Sequence, residues 1–256
     1  MTGETNKPRV LFMGGKDIGC GCLDHMISEG INVVGAIINP LDMDRHRWYQ
    51  SAAEIAIEHG IPAYCFEDIN STEAVLTIGI LAPDLIVIVY YDQILKREII
   101  DIPARGCVNL HMALAEEYRG CYPTTWVLMN GETQIGVTLH FVDDGIDSGD
   151  IIAQESVTID WADTGKRLYQ KCTDAGIELF QEHLSGLLSG IFTRTPQKTT
   201  DNTRYYSRVS FPSHQVTLDD TTYNQIRALT FHPFPPPYFY IGDRKMIIVP
   251  EDTVYL

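Results

Sequence analysis

The chain has 256 residues, 45% hydrophobic and 21% charged, which excludes disordered and fibrous classes and suits one large domain with or without a small appendage. Nineteen basic against 34 acidic residues leave a net charge of −15. No Lys/Arg cluster supplies the basic footprint a nucleic-acid partner demands, and the longest apolar runs, such as residues 85–91, fall far short of the ~20 residues that cross a bilayer. Residues 1–8 are polar and lead straight into a strand-like segment, so no signal peptide is expected. Cys20, Cys22, Cys65, Cys107, Cys121 and Cys172 show no Cys-x-x-Cys spacing; they read as reduced thiols of a cytoplasmic chain. Cys20-Gly21-Cys22 lacks the second pair a zinc site needs, and no metal is expected.

Strand and helix signals alternate along the first half. Residues 9–13 form an apolar strand ending at Gly14-Gly15, followed by a helical pattern over 18–29 and a buried strand over 31–38. A helix is predicted over 48–59 with Gly60 as its stop, then a strand over 61–66. A further helix starts near Ser71, which offers itself or Thr72 as the cap. The run 84–90 is apolar on both faces, the mark of a central parallel strand. A weakly helical stretch leads to a strand over 107–110. This succession predicts a doubly wound parallel sheet with ligands outside the carboxyl ends of its strands. Beyond it, residues 136–142 and 151–158 alternate as two strands, and 163–190 read as one long amphipathic helix. The remainder is rich in Thr, Pro and Tyr. Its run Pro235-Pro236-Pro237 reads as a turn or edge, and strands over 238–241 and 246–249 flank a Gly242-Asp243 hairpin centre widened by Arg244 and Lys245.

Three features carry chemistry. The glycine pattern from Gly14 to Gly21 fits neither G-x-G-x-x-G nor a P-loop. It is either a backbone loop facing a ligand at a helix N-terminus or a tight strand-to-helix turn. Asn109-Leu110-His111 ends a buried strand, and alternation puts Asn109 and His111 on one side, where two idle polar groups would be costly. The segment Asp143-Asp144-Gly145-Ile146-Asp147-Ser148-Gly149-Asp150 lacks the EF-hand order. It is a polar turn or a loop that delivers one aspartate to the histidine.

Asn109-Leu110-His111, Tyr118-Arg119-Gly120, and Gly136-Val137-Thr138 leading to residues 144–150 resemble, in order and spacing, the catalytic module of the formyltransferase family. That family includes methionyl-tRNA formyltransferase, glycinamide ribonucleotide transformylase and the sugar-nucleotide N-formyltransferases. The resemblance covers about residues 8–192, and the tail more weakly through Ile226-Arg227-Ala228-Leu229 and His232-Pro233-Phe234-Pro235. It implies an α/β fold with a doubly wound, Rossmann-like, parallel-rich sheet over residues 1–192 and a small C-terminal β-rich subdomain over 193–256. Asp17-Ile18-Gly19-Cys20, residues 60–64, Ala82-Pro83-Asp84, Tyr90-Tyr91, and residues 130–133 with 136–140 are similar to the domain that formylates UDP-4-amino-4-deoxy-arabinose. Two departures stand out. The family's His-x-Ser-Leu-Leu-Pro is here His111-Met112-Ala113-Leu114-Ala115-Glu116-Glu117. Asp92 stands where the arabinose enzyme has arginine, which argues against that sugar.

The resemblance further implies transfer of a formyl group from 10-formyltetrahydrofolate, as co-substrate, to the amine of a nucleotide-linked amino-dideoxy sugar. The first choice is dTDP-4-amino-4,6-dideoxyglucose, the second GDP-perosamine, and the setting is O-antigen or glycan biosynthesis. By the same resemblance Asn109 stabilises the oxyanion, His111 accepts the amine proton and Asp147 orients the imidazole. Tyr90, Tyr91, Gln93, Ile94 and Leu95, with Asp143, Asp144, Gly145 and Ile146, are expected around the folate. Gly15, Lys16, Asp17, Tyr118, Arg119 and Trp126 are expected around the sugar nucleotide. A homodimer is expected, with the C-terminal hairpin in its interface. The alternatives are a glycinamide ribonucleotide-type transformylase, a formyltetrahydrofolate hydrolase, and a catalytically inert binding module.

Overall fold

A computed structural model describes residues 7–43 and 47–248; the expectations for residues 1–6 and for Val249 lie outside the described residues. Seven strands form the central sheet in the order β3-β2-β1-β4-β5-β7-β8. The parallel part comprises β1 (Arg9–Gly14), β2 (Asn32–Ile38), β3 (Ala63–Tyr64), β4 (Leu85–Val89) and β5 (Cys107–His111), while β7 (Gln134–Phe141) and β8 (Ile151–Thr158) continue it antiparallel. The chain winds outward from β1 to β3, then returns to place β4 on the other side of β1. The strand order therefore reverses between β1 and β4, where α/β sheets open a crevice.

Period-two alternation builds the two layers. In β1 and β4, Val10, Phe12, Leu85, Val87 and Val89 join the core beneath α1 (Lys16–Ser28), α2 (Ala52–Glu58) and α6 (Gly165–Ser189). The intervening Leu11, Met13, Ile86 and Ile88 pack against α3 (Thr72–Leu81) and α4 (Arg97–Ile100). Every residue of β4 is buried, each apolar side chain contributing roughly 1.5–3 kcal/mol of transfer free energy. Gly14 serves the close approach of β1 to β4. It has φ +151°, and an added Cβ would lie 1.8 Å from the Val89 carbonyl oxygen. The Gly15 N–H donates to the same oxygen at 3.1 Å, so these glycines make the tight turn into α1.

Several boundaries differ from the sequence reading. The helix expected over 48–59 is confined to α2, because the Ser51 hydroxyl accepts from the Glu54 N–H and caps it there. Trp48 is left outside, edge-on to Tyr169, Phe231 and Phe234. The strand expected over 61–66 keeps two residues, since β3 is an edge paired only with β2. Helix α5 (Pro123–Met129), helix α7 (Thr222–Leu229) and a parallel pair of three-residue strands, β6 (Tyr118–Gly120) and β9 (Arg204–Tyr206), add to the elements expected from the sequence. In the C-terminal hairpin of β10 (Tyr238–Ile241) and β11 (Arg244–Ile247), Arg244 and Lys245 sit in the ladder opposite Ile241 and Tyr240. The turn is thus Gly242-Asp243 alone, with Gly242 at φ +57°. Beyond α6 the chain crosses back over the sheet's carboxyl edge: β9 pairs with β6, and Ala228 of α7 is buried in the main core.

Candidate active site

A cavity of about 260 Å³ opens beyond the carboxyl ends of β4 and β5. The antiparallel register of β5 and β7 sets Asn109 opposite His140 and His111 opposite Thr138. Those pairs place two histidines, an amide and a hydroxyl on alternate rungs, on one face of the sheet. The His111 Nε2 lies 2.9 Å from the Tyr118 carbonyl oxygen, a group that only accepts, so Nε2 carries a proton and Nδ1 is the exchangeable nitrogen. That Nδ1 faces Asp147 Oδ2 at 3.7 Å. Protonation at Nδ1 therefore yields an imidazolium with an oxygen beside each N–H.

Asp147 is gripped from several sides. Its Oδ2 accepts from the Gly120 N–H at 2.8 Å and its Oδ1 from Asn109 Nδ2 at 3.2 Å. The backbone there is left-handed, φ +48°, a conformation that a residue with a Cβ holds only when its surroundings impose it. Burial pushes its carboxyl upward, but the positive charge of a protonated His111 above all, with that of a protonated His140 and the Gly120 N–H, outweighs burial and holds it well below the usual carboxylate range. The sign follows: this stabilisation is complete above about pH 4 and is lost as the pH falls through the folded-state value. Urea unfolding of wild type and Asp147→Asn should differ at pH 7, and the gap should begin to close only as the pH falls below about 4. A gap independent of pH would contradict this.

His140 is a buried partner that sequence reasoning missed. Its Nδ1 donates to the Phe141 carbonyl at 2.8 Å, leaving Nε2 to accept from Asn109 Nδ2 at 3.2 Å. Both N–H groups of Asn109 are thus directed at neighbours, through long hydrogen bonds that can be exchanged for a stronger acceptor. Thr138 pins the unusual 112–117 stretch, donating to the Ala113 carbonyl at 2.6 Å and accepting from the Ala115 N–H at 3.2 Å. Both residues lie in segments that carry the family resemblance, but their partners follow only from cross-strand pairing, which needs the β5/β7 register.

Tyr90, Tyr91, Gln93, Ile94 and Leu95 line one wall, and Asp143, Gly145 and Ile146 another. Asp144 does not reach the cavity; it forms an exposed ion pair with Arg97. Asp143 accepts from Gly145 N–H and the Ser148 hydroxyl, and Asp150 pairs with Arg194 at 3.1 Å. The four carboxylates of this loop therefore have four separate tasks, and among the described residues no cluster suits a metal ion.

The residues expected around the sugar nucleotide are not brought to this wall. Tyr118 spends its hydroxyl on Glu132, Asn130 and Arg204, and only its carbonyl meets His111. Arg119 donates to the Ala115 carbonyl and to Gln197, while Trp126 stacks on Tyr206 at 4.1 Å. These groups fasten β6, α5 and β9 together, work that sequence spacing does not disclose. Gly15, Lys16 and Asp17 stand at the start of α1, outside the cavity lining. Lys16 lies 3.6 Å above the Tyr49 ring, and burial lowers its pKa against the pull of Asp92, Asp42 and Asp17. Tyr205 and Arg208 were not anticipated; they enter the wall from the C-terminal segment, Arg208 pairing with Asp92 at 3.0 Å.

A doubly wound sheet whose crevice gathers an imidazole, an amide and a carboxylate defines an α/β enzyme equipped for proton transfer. The formyl transferase family model matches residues 10–184, and the chain belongs to that family; it is a transferase. Solved structures share the fold. WlaRD, a sugar 3N-formyl transferase determined in the presence of dTDP and 5-N-formyl-THF, is 22% identical, with 91% of this chain and 82% of that chain covered at a TM-score of 0.75. A 4-N formyltransferase from Francisella tularensis is 21% identical over 95% of this chain and 97% of its own, also at 0.75. The phosphoribosylglycinamide formyltransferase of Streptococcus pneumoniae TIGR4 is 24% identical, covering 71% of this chain and 99% of its own at 0.59.

Proposed function

We propose that this enzyme transfers the formyl group of 10-formyltetrahydrofolate to the amine of a nucleotide-linked amino-dideoxy sugar, with dTDP-4-amino-4,6-dideoxyglucose as the best candidate. The observation that carries this reading is the meeting of His111 Nδ1, Asn109 and Asp147 in one cavity whose wall is completed by Tyr205 and Arg208, from beyond the family-matched residues. His111 takes the proton of the attacking amine at Nδ1, and Asp147 stabilises the resulting imidazolium. Asn109 turns one N–H from His140 or Asp147 to the oxyanion that forms on the formyl oxygen; its collapse breaks the carbon–N10 bond, and N10 takes the proton from His111 and leaves as tetrahydrofolate. The cavity suits a folate head group. Ile88, Leu95, Val142 and Ile146 offer apolar walls, and the buried Tyr91 hydroxyl has no hydrogen-bond partner among the described residues. Among the described residues Arg208 is the one lysine or arginine in the lining, which suits the phosphates of an anionic acceptor on a strongly acidic protein.

The test is a formylation assay with 10-formyltetrahydrofolate and a panel of amino-sugar nucleotides, read by mass spectrometry as gain of one formyl group. Formylation of glycinamide ribonucleotide alone, or formate release without any acceptor, would replace this reading with one of its competitors. We further read residues 193–256 as a small subdomain and the enzyme as a cytoplasmic homodimer of glycan biosynthesis; the six unbridged cysteines support the compartment. Ile241 and Met246 on one face of the hairpin, and Tyr240 and Ile247 on the other, are 41–61% exposed, apolar groups that a second copy gripping the hairpin would cover. Light scattering on a size-exclusion column should give twice the monomer mass, and the charged pair Ile241→Asp/Ile247→Asp should halve it. A wild-type monomer would refute the dimer.

A further inference from the structure

The loop that carries Asp147 is held by a side chain from outside the family-matched part of the chain. After α6, residues Thr195 and Ile151 exchange backbone hydrogen bonds at 2.8 and 2.9 Å, which lays the departing chain along the edge of β8. Two residues later Gln197 enters between the loop and β6. Its Nε2 donates to the carbonyl oxygens of Asp147, at 3.0 Å, and Gly149, at 2.7 Å. Its Oε1 accepts from Arg119 at 2.9 Å. Arg119 is fixed in turn by the Ala115 carbonyl at 2.9 Å and adjoins Gly120, whose N–H holds the Asp147 carboxylate. Both N–H groups and the oxygen of one amide are therefore used to tie the Asp147 main chain to the strand that grips the Asp147 side chain.

That tie has a conformational reason. Asp147 is left-handed without being glycine, so the loop has little intrinsic preference for the shape that aims its carboxylate at His111. Gly149 allows the close return of the loop, since an added Cβ would lie 1.9 Å from the Phe141 carbonyl oxygen. The carbonyls on either side of Ser148 are the two that Gln197 captures. We infer that Gln197 is a positioning residue of the reaction, acting through Asp147 by clamping both carbonyls of its turn. The inference rests on the reading of Asp147 as the carboxylate partner of His111.

Two variants of the full chain separate positioning from folding. Gln197→Met keeps the length and removes all three hydrogen bonds, while Gln197→Glu keeps the pairing with Arg119 but cannot donate to the carbonyls. Each should lower kcat about tenfold and leave both KM values within about threefold, because misplacing an aligned group costs rate rather than binding. In an Asp147→Asn background the same changes should cost no more than about twofold, since residues acting as a unit are non-additive. The cycle is run with 10-formyltetrahydrofolate and whichever acceptor the wild type formylates, dTDP-4-amino-4,6-dideoxyglucose or glycinamide ribonucleotide, so a wrong acceptor is told apart from a wrong Gln197. Near wild-type kcat in Gln197→Met, or an equal loss with and without the Asp147 carboxylate, would overturn the inference. Wild-type kcat in Asp147→Asn alone would overturn the reading beneath it as well.

Discussion

Replacing His111 with alanine is expected to lower kcat by roughly 10²–10⁴, the usual worth of a positioned general base. Asn109→Ala should cost roughly 10²–10³, the cost of removing an oxyanion donor. The two losses differ in origin. His111→Ala removes the nitrogen that faces Asp147 at 3.7 Å, so the amine proton has no acceptor. Asn109→Ala also strips a donor from Asp147 Oδ1 and leaves His140 Nε2, on a side chain only 2% exposed, without its partner. Buried polar atoms left in this way cost about 1–3 kcal/mol, so Asn109→Ala should also melt earlier than wild type. Single-turnover formylation followed by mass spectrometry measures the rates. If His111→Ala kept more than about a tenth of wild-type kcat, its role as proton acceptor would be untenable.

Gly120→Ala should damage both the fold and the site. Gly120 has φ +87°, and an added Cβ would meet the Tyr206 carbonyl oxygen at 2.2 Å. That oxygen accepts from the Cys121 N–H at 2.7 Å, one of the hydrogen bonds between β6 and the returning C-terminal chain. The Gly120 N–H itself holds Asp147 Oδ2, and the adjacent Tyr118 carbonyl holds His111. Left-handed strain and overpacking together should cost about 2–5 kcal/mol, or a melting point lower by about 5–15 °C for a chain of this size. Because β6 grips two members of the trio, kcat should fall as well, at temperatures where the variant remains folded. An unchanged melting point would mean that β9 is not seated on β6 in solution.

Gly120 also marks where local sequence signals stop. The apolar runs of β1 and β4, the alternation of β7 and β8, the long amphipathic pattern of α6 and the cap at Ser71 were legible, since each depends on residues close in sequence. Asn109 and His111 were legible for the same reason: two polar residues one apart at the end of a buried strand share a face. The family resemblance named Asp147, but spacing alone could not bring it within 3.7 Å of a residue 36 positions earlier. The β6–β9 pair has three residues per strand and joins positions 86 apart, so neither strand is long enough to show a period.

The same distinction explains the site residues. Asn109, His111 and the cavity-lining stretch 90–95 sit on or beside the sheet's parallel core, whose pattern dictates which way they face. The family resemblance implied Tyr118, Arg119 and Trp126 around the sugar nucleotide, while long-range packing directs them toward Glu132, Gln197 and Tyr206. His140, Arg208 and Gln197 were invisible because their roles come from a cross-strand register and from a C-terminal chain that folds back over the crevice. Hydrophobic periodicity is local and settles the sheet and its layers. The polar contacts that finish the site close between segments far apart in sequence, and only the packed fold selects them.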